Sequence, residues 1–297
     1  MKDQYVGDIG DFGKYSLLRA FINAGIKVGI NWYLTDNDGS NDGKFTEYLR
    51  KDEFRRYDPT VFDALKEIAF NSTKSVEDVQ KSGMLGNSVF YSEFLHPQGG
   101  SSDRQKARKQ WFEKSIGVLR DVELVFMDPD NGLMEKGDAS KTGAEKYVLP
   151  DEVGEYYRSG HNVVYYCHRG RRKLNDWFKY KSLMFELIPD AKPVVLTYHK
   201  GSQRSYIFLV HDKDFARYRR ILDQFTSQWR SLFTEEYTDF GDVAGKGSGE
   251  SITIEKANGE TVTLEKRADG QLSVKTSKDP TCIRVYSAEV FCWHLGI

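Results

Sequence analysis

Two acidic side chains and an amide follow a short apolar segment near the middle of the chain. Residues 122–127 are largely apolar and end at turn-forming residues, a pattern typical of a buried strand. Ligands of open parallel α/β sheets bind just beyond the carboxyl ends of the strands, where Asp128, Asp130 and Asn131 would lie. Carboxylates and an amide in that place can orient water and stabilise a positive charge. Since Asp-Pro-Asp-Asn-Gly consists of turn formers, an ordinary turn is the alternative interpretation.

Two histidines follow later segments of the same kind. His168 comes after a predicted strand at residues 162–167, and His199 comes after one at 193–198. If the three strands are parallel neighbours, their ends bring both histidines to the same rim as Asp128. A single strand-end histidine is more often a structural hydrogen-bonding group, but three polar strand ends in succession favour a catalytic cleft. Its predicted catalytic residues are Asp128, Asp130, Asn131, His168 and His199.

Basic residues surround the predicted cleft. Arg169, Arg171 and Arg172 directly follow one of its strands, and Lys200 and Arg204 lie in the last hairpin. Because Lys and Arg supply the salt-dependent phosphate contacts of nucleic-acid binding, we predict that these five residues contact DNA. A second basic group lies on a predicted helix, where a solvated helix face is an equally good interpretation; it consists of Arg104, Lys106, Arg108 and Lys109.

The segment before the first predicted helix combines glycines, acids and a lysine. Residues 4–15 therefore resemble a shaped loop more than a random tail. We predict that Asp8, Asp11, Lys14 and Tyr15 line the cleft and contact the substrate. Asp11 has a simpler alternative role as the cap of the helix that follows.

The elements that must position these residues alternate between strands and helices. Such alternation predicts an α/β fold with a three-layer, mostly parallel sheet. The last two strands are joined by too short a connection for a crossover helix, so they should form a C-terminal antiparallel hairpin, as at the end of class I methyltransferase folds. Strands are predicted at residues 27–35, 88–95, 122–127, 162–167, 193–198 and 203–210, and helices at 16–24, 60–80, 104–119, 150–159, 173–187 and 214–233.

The composition changes near residue 240. Residues 1–240 form the predicted α/β catalytic domain, and 241–250 form a glycine-rich linker. Residues 251–297 alternate apolar and polar side chains around Asn258-Gly259 and Asp269-Gly270, which are strong hairpin signals. This pattern predicts a small all-β meander, and nothing in it identifies a partner.

Composition and charge restrict the class of protein. Of the 297 residues, 39% are hydrophobic, which favours a packed core over disorder. The formal net charge of −1 means that any nucleic-acid surface must be a local patch. The sequence contains neither a signal peptide nor a membrane-spanning stretch, so we predict a cytoplasmic protein without membrane contact. The cysteines are too few and too scattered for a disulfide framework or a zinc pair: Cys167, Cys282 and Cys292.

Several familiar catalytic motifs are absent from the sequence, among them a P-loop, HExxH and GxSxG. The loop at residues 36–43 occupies the place of a methyltransferase cofactor loop but lacks a compact GxG pattern, and Asp36 in it is predicted to contact substrate instead. Base methyltransferases place an aromatic residue in a D/N-P-P-Y/F/W motif, whereas Asp130 follows Pro129 here. A degenerate methyltransferase fold with different chemistry is therefore favoured, and we predict no cofactor and no metal.

Three groups of residues are specific enough in combination to compare with known families. They are Gln4-Tyr5, Gly7-Asp8, Asp11, Lys14-Tyr15 and Leu17-Leu18-Arg19; Leu34-Thr35, Asp38-Gly39 and Asp42-Gly43; and residues 126–133, FMDPDNGL. Together they resemble a widespread bacterial family and, through it, antiphage DNA glycosylases that remove glucosylated hydroxymethylcytosine. The resemblance covers residues 1–235.

Those glycosylases are similar to the uracil-DNA glycosylase superfamily. The resemblance implies an α/β fold, a water-positioning loop matched by Asp128–Asn131, and a second site loop matched by His199–Ser202. The superfamily motifs GQDPY and HPSP are both absent from this sequence.

The sequence thus supports a DNA glycosylase that hydrolyses the N-glycosidic bond of a modified base in double-stranded phage DNA, as part of antiviral defence. Such an enzyme flips its target nucleotide out of the duplex. Three alternatives stay open. They are an S-adenosylmethionine-dependent methyltransferase, a metal-dependent nuclease with Asp128, Asp130 and His168 as ligands, and a non-enzymatic sensor of modified DNA.

Overall fold

The computed structural model describes residues 1–40, 43–71, 73–96, 98–236, 251–255, 261–266, 272–276 and 279–286. Within residues 1–236 the chain forms an α/β fold around a mixed sheet of seven strands. The strands are β1 (Val28–Asn31), β2 (Val89–Tyr91), β3 (Leu124–Met127), β4 (Asn162–His168), β5 (Lys192–Tyr198), β6 (Arg204–Val210) and β7 (Phe233–Glu236). Their order in the sheet is β2-β1-β3-β4-β6-β5-β7.

The sheet has a parallel core and an antiparallel end. Strand β1 pairs in parallel with β2 and β3, and β3 pairs in parallel with β4. Strand β6 lies antiparallel between β4 and β5, and β7 is antiparallel to β5. The predicted α/β fold and its closing antiparallel hairpin are confirmed, but the sheet, which was predicted to be mostly parallel, is mixed. The insertion of β6 between β4 and β5 was not foreseen, because a short connection fixes the direction of a strand but not its neighbours.

Helices pack on both faces of the sheet. Two consecutive residues of β3 show this directly, because successive side chains of a strand point to opposite faces of the sheet. Phe126 belongs to the core cluster on one face, and Met127 belongs to the core cluster on the other. The result is three layers. The helices are α1 (Ile9–Asn23), α2 (Asp52–Arg55), α3 (Pro59–Ala69), α4 (Val76–Lys81), α5 (Ser101–Leu119), α6 (Pro150–Arg158), α7 (Leu174–Leu187) and α8 (Asp212–Trp229).

Several predicted elements have different bounds in the structure. The first helix begins at Ile9 rather than at residue 16, so residues 9–15 are helical and not a loop, and the cap of this helix is Asp8 rather than Asp11.

Three further elements differ as well. The first strand stops at Asn31 rather than residue 35, because the backbone turns at Tyr33, where φ is +46°. The helix predicted at 60–80 is two helices, since the Ser75 side chain caps a new one, α4. The last predicted helix ends at Trp229, and the chain then returns to the sheet as β7.

Four more strands follow, at Ser251–Glu255, Thr261–Lys266, Leu272–Thr276 and Asp279–Tyr286. They pair in sequence order as an antiparallel ladder. The linker at 241–250 and the turns at Asn258-Gly259 and Asp269-Gly270 lie outside the described residues, so a separate C-terminal domain stays a prediction. Among the described residues, no helix is long and apolar enough to cross a membrane.

Candidate active site

A cavity of about 330 Å³ opens at the carboxyl ends of β3 and β4. Its size lies at the lower end of the range for small-molecule sites. The first turns of α1 and the start of β6 form its other walls, since β6 runs antiparallel and begins at this rim. The cavity is lined by Met1, Tyr5, Asp8, Gly10, Asp11, Lys14, Gly43, Phe45, Asp128, Pro129, Asp130, Asn131, Tyr166, His168, Ser202 and Arg204.

Helix α1 carries a lysine into the cavity beside the end of β3. The helix begins at Ile9 because the Asp8 side chain accepts a hydrogen bond from the Gly10 backbone N–H at 2.9 Å. One turn further on, Lys14 Nζ lies 2.7 Å from Asp128 Oδ2 and 2.9 Å from Asp11 Oδ1. All three side chains are buried. The N-terminal segment was predicted to line the cleft, and in the structure it lies directly against the acid at the end of β3.

The buried lysine carries a positive charge between two carboxylates. Burial alone would lower the pKa of Lys14, but Asp11 and Asp128 outweigh that effect and hold it well above its ordinary value. Burial raises the pKa of Asp11, an effect that Lys14 opposes. A lysine held as ammonium is no nucleophile, so Lys14 orients and stabilises the Asp128 carboxylate. Asp128 Oδ1 accepts no hydrogen bond from any described residue.

Asp130 is committed to the N-terminal segment. Its carboxylate forms ion pairs with the Met1 ammonium at 2.8 Å and with Lys2 Nζ at 3.1 Å, and it accepts a hydrogen bond from the Thr35 hydroxyl at 3.0 Å. Burial by itself would raise the pKa of Asp130, but the Met1 ammonium and Lys2 outweigh it and lower the pKa below its ordinary value. Both Asp130 oxygens are thus paired with a cation, whereas Asp128 is paired through Oδ2.

The facing strands β4 and β6 supply a second polar wall. Their register places His168 directly opposite Arg204 and Tyr166 opposite Tyr206. The Arg204 guanidinium donates to Asp8 Oδ1 at 2.7 Å and to the Lys200 carbonyl at 2.9 Å. Burial raises the pKa of Tyr166 to about 12, so its hydroxyl stays a hydrogen-bond donor at neutral pH.

Four residues predicted for the cleft lie outside this cavity. His199 Nε2 lies 2.7 Å from Thr234 Oγ1, because β6 separates the end of β5 from β4. Tyr15 is buried in the core and packs edge-on against Trp32. Asp36 is exposed and pairs with His96, and Lys200 contributes its carbonyl rather than its ammonium.

The three arginines after β4 lie beside the cavity rather than in it. Arg169 donates to the Arg172 carbonyl at 3.1 Å and lies 3.5 Å from Gln203 Oε1. Arg171 is exposed. Arg172 lines a neighbouring cavity, where its guanidinium stacks on the Tyr180 ring with 4.0 Å between them.

The second basic group contains a structural arginine. Arg108 is buried and donates to both Glu152 carboxylate oxygens, at 2.6 and 2.8 Å. It also donates to the carbonyls of Ala144 and Tyr147, both at 2.7 Å. Neither phosphate binding nor a solvated helix face describes this residue. Because charged residues recur along α5, the sequence did not indicate that Arg108 is buried.

The sequence reasoning missed several residues that line the cavity, notably Phe45 and Tyr166. Tyr166 precedes His168 by two positions on a strand, so period-2 alternation was a usable signal for it. No comparable pattern marks Phe45. Its side chain is 62% exposed although its backbone is fixed by hydrogen bonds to Asp8 and Ile9.

The carboxylates at this rim are paired with cations of the protein in the part of the chain that the structure describes. Among the residues that the structure describes, no group of three or more His, Cys, Asp or Glu side chains has the arrangement to hold a metal ion. The reason lies in the charges, since Asp128 and Asp130 each form ion pairs with an ammonium and Asp8 pairs with Arg204. A divalent cation would have to displace those groups.

No family model matches this sequence, and no curated protein matches it significantly.

Proposed function

We propose that this protein is a DNA glycosylase that removes a modified base, with glucosylated hydroxymethylcytosine in phage DNA as the candidate substrate and antiviral defence as its role. One observation carries the proposal. Asp128 is buried at a strand end, its Oδ2 is held by Lys14, and it lines a cavity whose wall includes three aromatic side chains, Tyr5, Phe45 and Tyr166.

The chemistry follows from how the glycosidic bond breaks. As the bond from the sugar to the base lengthens, positive charge develops on the sugar and negative charge on the base. Asp128 stabilises the positive charge and orients a water molecule, which adds to the sugar and gives its proton to the carboxylate. The electron pair of the broken bond leaves with the base. Donors on the opposite wall, the Tyr166 hydroxyl and the Arg204 guanidinium, stabilise that departing anion, with His168 beside them.

Base flipping brings the target to this cavity, because the bond is inaccessible in stacked DNA. Phe45 is an exposed aromatic side chain at the cavity, where it can stack on a base. The resemblance of the N-terminal and FMDPDNGL motifs to antiphage glycosylases points to the same substrate class.

The alternatives receive less support from the residues present. A base methyltransferase needs an aromatic side chain after Pro129, where Asp130 is instead bound to Met1 and Lys2. A metal-dependent nuclease needs uncommitted carboxylates, whereas Asp128 is already paired with Lys14.

The test is release of free base by the Asp128→Asn variant. Asparagine keeps the size of the side chain but removes its charge, so we expect base release from T-even-type phage DNA to fall by at least about 100-fold, while DNA binding persists. Chromatography of free bases and an abasic-site assay measure it. Asp36→Asn is the matched control, since Asp36 is exposed and outside the cavity, and it should keep full activity.

Two parallel reactions separate the alternatives. Strand scission that disappears with chelator, without abasic sites, would support the nuclease. Methyl transfer from labelled S-adenosylmethionine would support the methyltransferase. Undiminished base release by Asp128→Asn would refute the assignment of Asp128.

A further inference from the structure

A second cavity, of about 540 Å³, lies next to the candidate active site and shares Asn131 with it. Among its lining residues is Leu133, which belongs to the same core cluster as Tyr180. Four of its lining residues are cations, Lys136, Lys141, Lys146 and Arg172, and the acid among them is Glu135.

The cations of this cavity are largely uncommitted. Arg172 lies 3.7 Å from Glu135, and among the described residues no ion pair involves Lys136, Lys141 or Lys146. Lys136 and Lys141 are exposed, so solvent-borne anions reach them without displacing a protein group. The excess of positive charge at the cavity contrasts with the net charge of −1 for the whole chain.

The floor of the cavity is built from paired backbone. Val148 N–H donates to the Gly132 carbonyl at 2.9 Å, Met134 N–H to the Val148 carbonyl at 2.8 Å, and Asn131 N–H to the Lys146 carbonyl at 2.8 Å. The Tyr180 hydroxyl contacts both backbone polar groups of Leu133, and the same ring supports Arg172.

The far wall is held in place by two arginines of α5. Arg104 donates to the Ser140 carbonyl at 2.7 Å, and Arg108 donates to the carbonyls of Ala144 and Tyr147. These bonds fix the loop that carries Lys141 and Lys146. The backbone that carries Lys141 and Lys146 is therefore positioned by buried and partly buried hydrogen bonds.

We propose that the second cavity binds backbone phosphates of the DNA strand whose nucleotide enters the active site. This inference rests on the proposed function. When a flipped nucleotide occupies the first cavity, the DNA strand that carries it continues past Asn131 into the second cavity. Arg172, stacked and planar, suits two-point contact with a phosphate, and the lysines act as point charges. Phosphate contacts fix the position of the strand, and the base is read in the first cavity.

Salt dependence of DNA binding tests the proposal. Replacing Lys136, Lys141 and Lys146 together by Ala should weaken binding of a short fluorescein-labelled duplex of unmodified DNA. The slope of log affinity against log salt should fall by about 2 to 3, at about 0.9 for each lost phosphate contact. Anisotropy titrations over a range of salt concentrations measure it. The triple Lys→Arg variant should keep the wild-type slope, and circular dichroism checks that both variants fold.

The matched control removes three exposed lysines from the opposite rim of the sheet. Lys27 precedes β1, Lys192 begins β5, and Lys213 follows His211, whose N–H bonds to Asn162 at the start of β4. Their joint replacement by Ala makes the same change of charge and should leave the slope within about 1 of wild type. An equal fall of slope in both triple variants would overturn the proposal.

Further outcomes separate this inference from the catalytic one. If wild-type protein binds DNA and releases base while the cavity variant keeps the full slope, the phosphate site is wrong and the glycosylase stands. If the slope falls as expected but no DNA yields free base, the phosphate site stands and the glycosylase is wrong. Competition by a free deoxynucleotide monophosphate as strong as that by DNA at equal phosphate concentration would overturn the backbone as ligand.

Discussion

At the scale of single residues, the site depends on how charge is balanced in a buried place. Lys14 neutralises Asp11 and Asp128 together, and Asp130 is neutralised by Met1 and Lys2. A buried ion pair adds little net stability, but removal of one partner leaves an uncompensated charge and is costly. The position and charge of the Asp128 carboxylate thus depend on Lys14, whose ammonium it shares with Asp11.

Removing the ammonium should therefore destabilise the fold. We expect Lys14→Met to lower the free energy of unfolding by about 3–5 kcal/mol, because two buried carboxylates lose their cation. Adding Asp11→Asn to it should restore part of the loss, since one of those charges disappears. Urea denaturation measures all three proteins. Arg55→Met is the control: its ion pair with Asp63 has the same 2.7 Å distance as that of Lys14 with Asp128, but it is exposed and should matter little.

The exposed aromatic residue at the cavity makes a separable prediction. Phe45→Ala should weaken binding of substrate DNA by about 5- to 100-fold, the usual range for one lost base stack. Its stability should be unchanged, because the side chain is 62% exposed. Phe70→Ala provides the comparison, since Phe70 is 49% exposed and lines neither cavity. Equal effects of the two substitutions on DNA affinity would remove Phe45 from the site.

At the scale of elements, α1 is the positioning device of the site. It brings Lys14 to Asp128 and packs against side chains of the sheet at two glycines. A Cβ on Gly13 would come within 2.9 Å of the Tyr198 ring, and one on Gly10 within 2.4 Å of the Arg204 guanidinium. The absence of a side chain at Gly13 thus allows the present distance between the helix and the Tyr198 ring.

Lengthening that distance should be measurable. Gly13→Ala should destabilise the protein by about 1–3 kcal/mol through overpacking, although alanine is the better helix former. It should also lower base release, because the helix that carries Lys14 must shift. Gly117→Ala on α5 makes the same chemical change where a Cβ meets nothing within 4 Å, and it should stabilise by about 0.5–1 kcal/mol. Opposite signs in thermal or urea unfolding would support the close approach, and stabilisation by both would contradict it.

Sequence patterns located the ends of the strands, but they did not give the order of the strands in the sheet. Polar residues after apolar segments pointed to Asp128, Asn131 and His168, which do meet at one cavity. His199 was grouped with them because chain order was taken for spatial order, and only tertiary pairing puts β6 between. The contact of Lys14 with Asp128 joins positions 114 residues apart, so no local pattern encodes it.

At the scale of the whole molecule, two cavities with different charged groups lie next to each other at one rim of the sheet. The first cavity holds the paired aspartates, and the second holds a cluster of lysines, while the chain as a whole is almost neutral. Local patches of this kind allow DNA binding without the high net charge that favours indiscriminate contacts. All the described residues that form the two cavities and the two core clusters precede position 237.

From this position of the two cavities we predict that removal of residues 241–297 has different effects on catalysis and on biological protection. A protein ending at Phe240 keeps every described residue that lines the two cavities, and the described pairing of the C-terminal ladder with β7 is Arg284 opposite Glu236. In the full chain β7 lies between β5 and the ladder, so truncation leaves β7 as an edge strand, and its acids discourage edge-to-edge association. We therefore expect the truncated protein to release base from phage DNA at a rate within about threefold of the full chain, because local contacts of the site are unchanged. Plaque assays on cells expressing each form measure protection in parallel. Full protection by the truncated form would argue against a signalling role for residues 241–297, and loss of base release would place part of the active site's support in that segment.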